Sequence, residues 1–160
     1  MRLLLFIPLL LLVSCKKDKA PAPCEGITMS GERARFVGTW RWYSTLVEEW
    51  FDVGPSNFYN YTPLNQGFDY YFTISEDGIL KEYKNDALIR EVILSSVFGE
   101  NFNPQYEVGI DLYMNCSKNW VDLRQYTNSS TDTLYTSFTP FSFDDVNNHL
   151  RSRWNYFVKE

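Results

Sequence analysis

The sequence predicts an all-β domain, an antiparallel eight-stranded up-and-down barrel with a short N-terminal helical turn and room for a short helix before the last strand. Three observations predict it. Apolar and polar residues alternate with period two in at least four stretches, as half-buried strands require. Turn-forming Gly, Asn, Asp and Ser separate those stretches at near-regular spacing. Finally, 44% of the residues are hydrophobic and 18% aromatic, which supplies more than a minimal core and argues against disorder or a plain helical bundle. At 160 residues the chain is sized for one folded domain.

The chain opens with Met1-Arg2, a short positive region, followed by an apolar run from Leu3 to Val13 broken only by Pro8. That run is much shorter than the roughly 20 residues of a membrane-spanning helix and reads as a secretion signal. It ends in Leu12-Val13-Ser14-Cys15, which resembles the bacterial lipobox and so implies acylation of Cys15 as the first mature residue. Residues 1–14 are then a signal peptide, 15–30 a lipidated tether and 31–160 the barrel domain. Two or more acyl chains hold a protein on a membrane where one would exchange. The charged residues just after Cys15 resemble the export signals of Gram-negative lipoproteins, a resemblance that implies the outer membrane, lipid-anchored, on its periplasmic or cell-surface face. Lys16-Lys17-Asp18-Lys19-Ala20-Pro21-Ala22-Pro23 has the charged, Pro-rich composition of an extended tether. Loss of residues 1–14 leaves 14 basic and 20 acidic side chains, a formal charge of −6. That acidic balance excludes nucleic acid as a partner, and lipid headgroups meet no polybasic patch beyond Lys16, Lys17 and Lys19.

Cys24 and Cys116 form an even pair in a compartment that permits disulfides. A bridge is the expected reading, closing a loop worth about 4 kcal/mol in the chain-entropy model. Two buried free thiols are the alternative.

Ser30 ahead of Gly31–Phe36 is a modest N-cap for the helical turn. In Thr39–Val47, Trp40, Trp42, Ser44 and Leu46 share one face, and Arg41, Tyr43 and Thr45 the other. Phe68, Tyr70, Phe72 and Ile74 alternate in the next strand, and Ser75-Glu76-Asp77-Gly78 turns it into Ile79–Lys84. Asn85-Asp86 leads to Leu88–Val97, with Gly99–Pro104 expected as a loop. Tyr106, Val108, Ile110, Leu112 and Met114 form the cleanest alternation. Ser117-Lys118-Asn119 turns into Trp120–Tyr126, after which Asp132–Phe138 and Arg153–Lys159 complete the set. Two stretches, Glu48–Gln66 and Thr139–Ser152, are long for hairpin loops and are candidate lids or binding loops; Ser142–Leu150 fits a short helix capped by Ser142.

Phe36-Val37-Gly38-Thr39-Trp40-Arg41-Trp42 resembles the Gly-x-Trp opening of lipocalins and of the small lipocalin-like lipoproteins of Gram-negative bacteria. Phe72–Gly78, Lys81–Asp86 and Asp132–Tyr135 are similar to later hairpins and the penultimate strand of those lipoproteins. The resemblance implies that Trp40 packs at the closed end of the barrel beneath a cation from the last strand, Arg151 or Arg153. The long Glu48–Gln66 segment departs from the family pattern.

Catalytic chemistry finds little support, and no enzyme is expected. The sole imidazole, His149, sits in an Asn-rich stretch with no evident Ser or Cys partner. Glu48-Glu49 and Asp144-Asp145 read as solvated loop charges, and the Asp144–Asn148 oxygens lack EF-hand order, so neither metal nor cofactor is expected. Twelve Phe, eleven Tyr and five Trp are the remaining signal. Two readings follow. A small apolar ligand would bind inside the barrel against Trp42, Phe72 and Tyr106. Alternatively, the aromatic 48–66 loop, with Trp50 and Tyr59, binds a glycan or a protein at the surface. In both, the membrane is met through the lipid anchor and the protein is a monomer.

Overall fold

A computed structural model describes residues 23–50, 54–103, 107–126, 133–136 and 151–160. After a 3-10 turn at Gly31–Phe36 come β1 (Gly38–Glu49), β2 (Asn57–Tyr61), a single helical turn α1 (Pro63–Gln66) and β3 (Tyr70–Ile74). They are followed by β4 (Ile79–Lys84), β5 (Ala87–Asn103), β6 (Glu107–Met114), β7 (Trp120–Tyr126), β8 (Thr133–Thr136) and β9 (Arg151–Lys159). Antiparallel pairing runs β1-β3-β4-β5-β6-β7-β8-β9, and β9 pairs back onto β1 from Trp40 to Glu49. Eight strands therefore close into a barrel, which leaves no free edge around the ring. The helix expected at Ser142–Leu150 lies outside the described residues.

The ninth strand, β2, was not evident from the sequence. β1 pairs with β3 only through Gly38–Arg41, and its Thr45–Glu49 stretch pairs with β2 instead. Part of the long 48–66 connection is thus built as wall. Thr62 caps α1 by accepting from the Asn65 backbone, and Gly67 ends it with φ 70°.

β1 carries a bulge between Trp42 and Ser44 in its pairing with β9. Trp40 and Trp42 face inward as the alternation predicted, but the extra residue reverses the phase. Beyond it Thr45, Val47 and Glu49 are buried, and Tyr43 projects into solvent. The sequence-based assignment of Ser44 and Leu46 to the inner face is corrected accordingly, as is that of Glu49 to a solvated loop. Likewise the expected loop at Gly99–Pro104 is strand as far as Asn103, because β5 continues through register shifts at Leu94/Ser96 and Val97/Gly99.

The core consists of inward side chains from every strand of the ring, among them Trp40, Phe72, Leu80, Leu94, Ile110, Leu123, Leu134 and Phe157. One end is covered by Phe36 from the 3-10 turn and by Met29, both buried. Trp40 Nε1 donates to the Phe36 carbonyl at 2.8 Å, so the indole is buried with its donor satisfied. Its cation is Lys159, whose Nζ lies 5.4 Å from the ring centroid, since the β1–β9 register sets Trp40 opposite Lys159. Arg153 pairs with Val47 and Arg151 with Glu49, too far along the strand for the role that the resemblance implied.

The segment ahead of the 3-10 turn belongs to the fold. Ile27 N donates to the Leu94 carbonyl and Met29 N to that of Glu76, each at 2.8 Å. Folded structure therefore extends upstream of Gly31 to Cys24, which is bonded to Cys116 with Cα atoms 5.7 Å apart. Gly78 in the β3–β4 turn has φ 75°, and a Cβ there would come within 2.5 Å of the Ile27 carbonyl oxygen, so the crossing requires glycine.

Candidate binding site

Toward the end opposite Phe36 the inner wall turns polar. Trp42 Nε1 donates to Thr45 Oγ1 at 3.0 Å, Thr45 Oγ1 to Asn155 Oδ1 at 2.8 Å, and Asn155 Nδ2 to the Thr136 carbonyl at 3.1 Å. This buried chain joins β1, β9 and β8 with its polar groups satisfied. On β3 and β4 the Tyr70 hydroxyl donates to Glu82 Oε2 at 2.5 Å, and Arg90 forms an ion pair with the same carboxylate. Burial, and then the Glu82 charge, push the Tyr70 phenol far above its ordinary value, so it remains the donor. Nearer the rim, Tyr59 of β2 donates to Glu49 Oε2 at 3.2 Å.

Aromatic packing occupies the space around these groups. Trp42 stacks on Phe68 with centroids 5.4 Å apart, and Lys84 Nζ lies 4.0 Å from the centroid of the Phe68 ring. Phe72 meets Phe157 edge-on at 4.9 Å. Both Trp42 and Phe72 are fully buried, and the structure places them in packed core. Tyr106 and Cys15 lie outside the described residues. Trp50 is half exposed just after β1, whereas Tyr59 is partly exposed and held by Glu49.

An accessible concavity lies where the bulge meets the 57–66 segment. A groove of about 380 Å³ is lined by Trp42, Tyr43, Ser44, Asn60, Thr62, Pro63 and Leu64. Tyr43 is 64% exposed and Leu64 94%. A second groove of about 500 Å³ continues on the other side of Tyr43, against Ser44, Thr133, Tyr156 and Val158. The Tyr43 ring is therefore a ridge between two furrows, flanked by hydroxyl and amide groups from Ser44, Thr62 and Asn60. Such a surface offers an apolar platform with polar groups at its margins.

Trp50 and Tyr59, singled out in the 48–66 segment, do not line this groove; its lining comes instead from Asn60 and Leu64 of that segment and from Tyr43 of β1. Tyr43 escaped sequence reasoning because regular alternation turns it away from the Trp face without marking it as the bulged residue. Among the described residues no group of His, Cys, Asp and Glu is arranged to hold a metal ion, and no helix is long and apolar enough to cross a membrane. Comparison with protein-family models, with curated proteins and with solved structures finds no match for this chain.

Proposed function

We propose that the protein is a membrane-tethered, non-enzymatic binding module, anchored through Cys15 to the outer membrane, that takes a saccharide on the groove built around Tyr43. The observation that carries this reading is the bulge. It lifts one tyrosine out of a closed wall and sets it beside Asn60, Thr62 and Ser44 in an accessible groove. A sugar ring has an apolar face suited to the phenol and hydroxyls suited to the amide and alcohol side chains. The resemblance to lipocalin-like lipoproteins supports the anchor and the barrel scaffold. It suggests an interior ligand as well, but an apolar molecule seated against Trp42 and Phe72 would have to displace the Phe68 and Phe157 rings and desolvate the Thr45–Asn155 chain.

The test is calorimetric titration of the mature chain with a panel of oligosaccharides, with Tyr43→Ala as the variant. Binding by the parent that weakens at least about tenfold in the variant, equivalent to about 1.4 kcal/mol, supports the groove. No binder in the panel, together with a co-purifying apolar compound in native mass spectrometry, would return the site to the barrel interior.

A further inference from the structure

A second exposed aromatic cluster lies elsewhere on the barrel, on the outer faces of β5, β6 and β7. Phe98 is 48% exposed and Trp120 53% exposed. The Phe98 ring sits 4.6 Å from that of Tyr113 and 5.9 Å from that of Trp120, measured between centroids, and Tyr113 and Trp120 are direct strand partners. Beside them a groove of about 490 Å³ is lined by Ser95, Ser96, Tyr113, Cys116, Ser117 and Lys118. Clustered exposed rings in water mark a surface that meets something less polar.

The position of Cys116 in that groove indicates what the surface meets. Cys116 is bonded to Cys24, and Cys24 lies nine positions after Cys15. Nine residues reach at most about 32 Å even when fully extended. The Ile27–Leu94 and Met29–Glu76 backbone hydrogen bonds lay residues 27–29 along the barrel, and the bridge fixes the chain just ahead of them. With it, the tether is rooted at the β6–β7 turn, beside the rings of Trp120 and Tyr113. Charge points the same way. The mature chain is acidic, yet the tether sequence leading to Cys24 carries Lys16, Lys17 and Lys19 against a single Asp18, and the turn itself carries Lys118.

From this placement we infer that the β6–β7 end of the barrel is a membrane-facing surface, with Phe98, Tyr113 and Trp120 seated among the lipid headgroups of the bilayer that holds Cys15 and Lys118 set against anionic lipid. The inference rests on the reading of Cys15 as the anchor. Trp and Tyr favour the membrane–water interface because their rings are amphipathic, and a lysine near an anionic surface adds attraction. A short tether supplies a high local concentration of that surface, so individually weak contacts suffice. The disulfide then orients the domain, and the Tyr43 grooves are lined from β1, β2, α1, β8 and β9, none of which carries this surface.

The experiment separates the surface from the anchor. The mature chain is produced without lipid, so that with Cys24 and Cys116 bonded to each other Cys15 carries the free thiol. That thiol is coupled to a maleimide lipid in phosphatidylethanolamine–phosphatidylglycerol vesicles, with or without phospholipid brominated near the headgroup. Bromolipid should quench part of the tryptophan emission. Trp120→Phe should remove at least two thirds of that quenching, and Trp50→Phe should leave it unchanged. Thermal melts of both variants confirm that the fold is retained. Absence of quenching in the parent, or quenching that survives Trp120→Phe, overturns the proposal. Palmitate labelling of Cys15 in the producing cell reads the anchor independently: quenching without labelling keeps the surface and discards the anchor, and labelling without quenching does the reverse.

Discussion

The two halves of the barrel interior are built on different chemistry. Near the 3-10 turn the inner wall is Trp40, Phe36, Met29, Ile74, Leu80 and Leu94, closed by the Trp40–Phe36 hydrogen bond. Toward the opposite end β1, β3, β4, β8 and β9 contribute Thr45, Tyr70, Glu82, Thr136 and Asn155, each with a partner across a strand boundary. The first half gains stability from apolar area and tight packing, so truncation there costs a great deal and depends little on pH. The second gains little net from each hydrogen bond but loses heavily when one partner is removed, because the other is left buried and unsatisfied. Stability and specific arrangement are thus concentrated at different ends.

Five substitutions sharpen this contrast. Trp40→Ala in the apolar half should cost about 3–5 kcal/mol, a large share of the roughly 5–15 kcal/mol typical of a domain, and should sharply lower the melting temperature. A variant that melts like the parent would break the comparison outright. In the polar half, Tyr70→Phe removes a donor to a charged, buried carboxylate and should cost about 1.5–3 kcal/mol at pH 8 in urea unfolding. This deficit should narrow above pH 10. Tyr70 ionises in the unfolded chain near its ordinary value of 10.0 but stays protonated when folded, so the parent loses stability as pH rises and the phenylalanine variant lacks that loss. A deficit that stays constant from pH 8 to pH 11 would mean the phenol is not held by burial and Glu82.

Asn155→Leu should cost about 1–3 kcal/mol, chiefly by stranding Thr45 and the Thr136 carbonyl. Pairing it with Thr45→Val should cost less than the sum of the two single changes, a coupling that a double-mutant cycle reads directly. Additive costs would show that the chain does not act as a unit. The smallest expected effect is at Tyr43→Ala, whose exposed ring should shift stability by no more than about 0.5 kcal/mol while saccharide binding falls. Two aromatics three positions apart on β1 are thereby assigned to opposite duties, Trp40 to the core and Tyr43 to the surface.

Much of the fold was legible because its signals are local. Alternation at Tyr70, Phe72 and Ile74 and at Val108, Ile110 and Leu112 is a property of any strand with one buried face. The turns were legible as well: Asn85 and Asp86 adopt φ of 49° and 64°, and Gly78 one of 75°, conformations that these residue types tolerate best. Tertiary structure decided the rest. Whether a strand carries a bulge depends on how its twist and register must adjust to its neighbours, so the phase reversal at Tyr43 and the passage of β5 through Gly99 belong to the ring rather than to either segment. Strand register likewise chose Lys159 over Arg153 as the partner of Trp40, turned Glu49 inward and added β2 to the wall. The groove around Tyr43 exists only where those non-local choices meet, which is why the residues singled out from composition, Trp50 and Tyr59, stand beside it rather than in it.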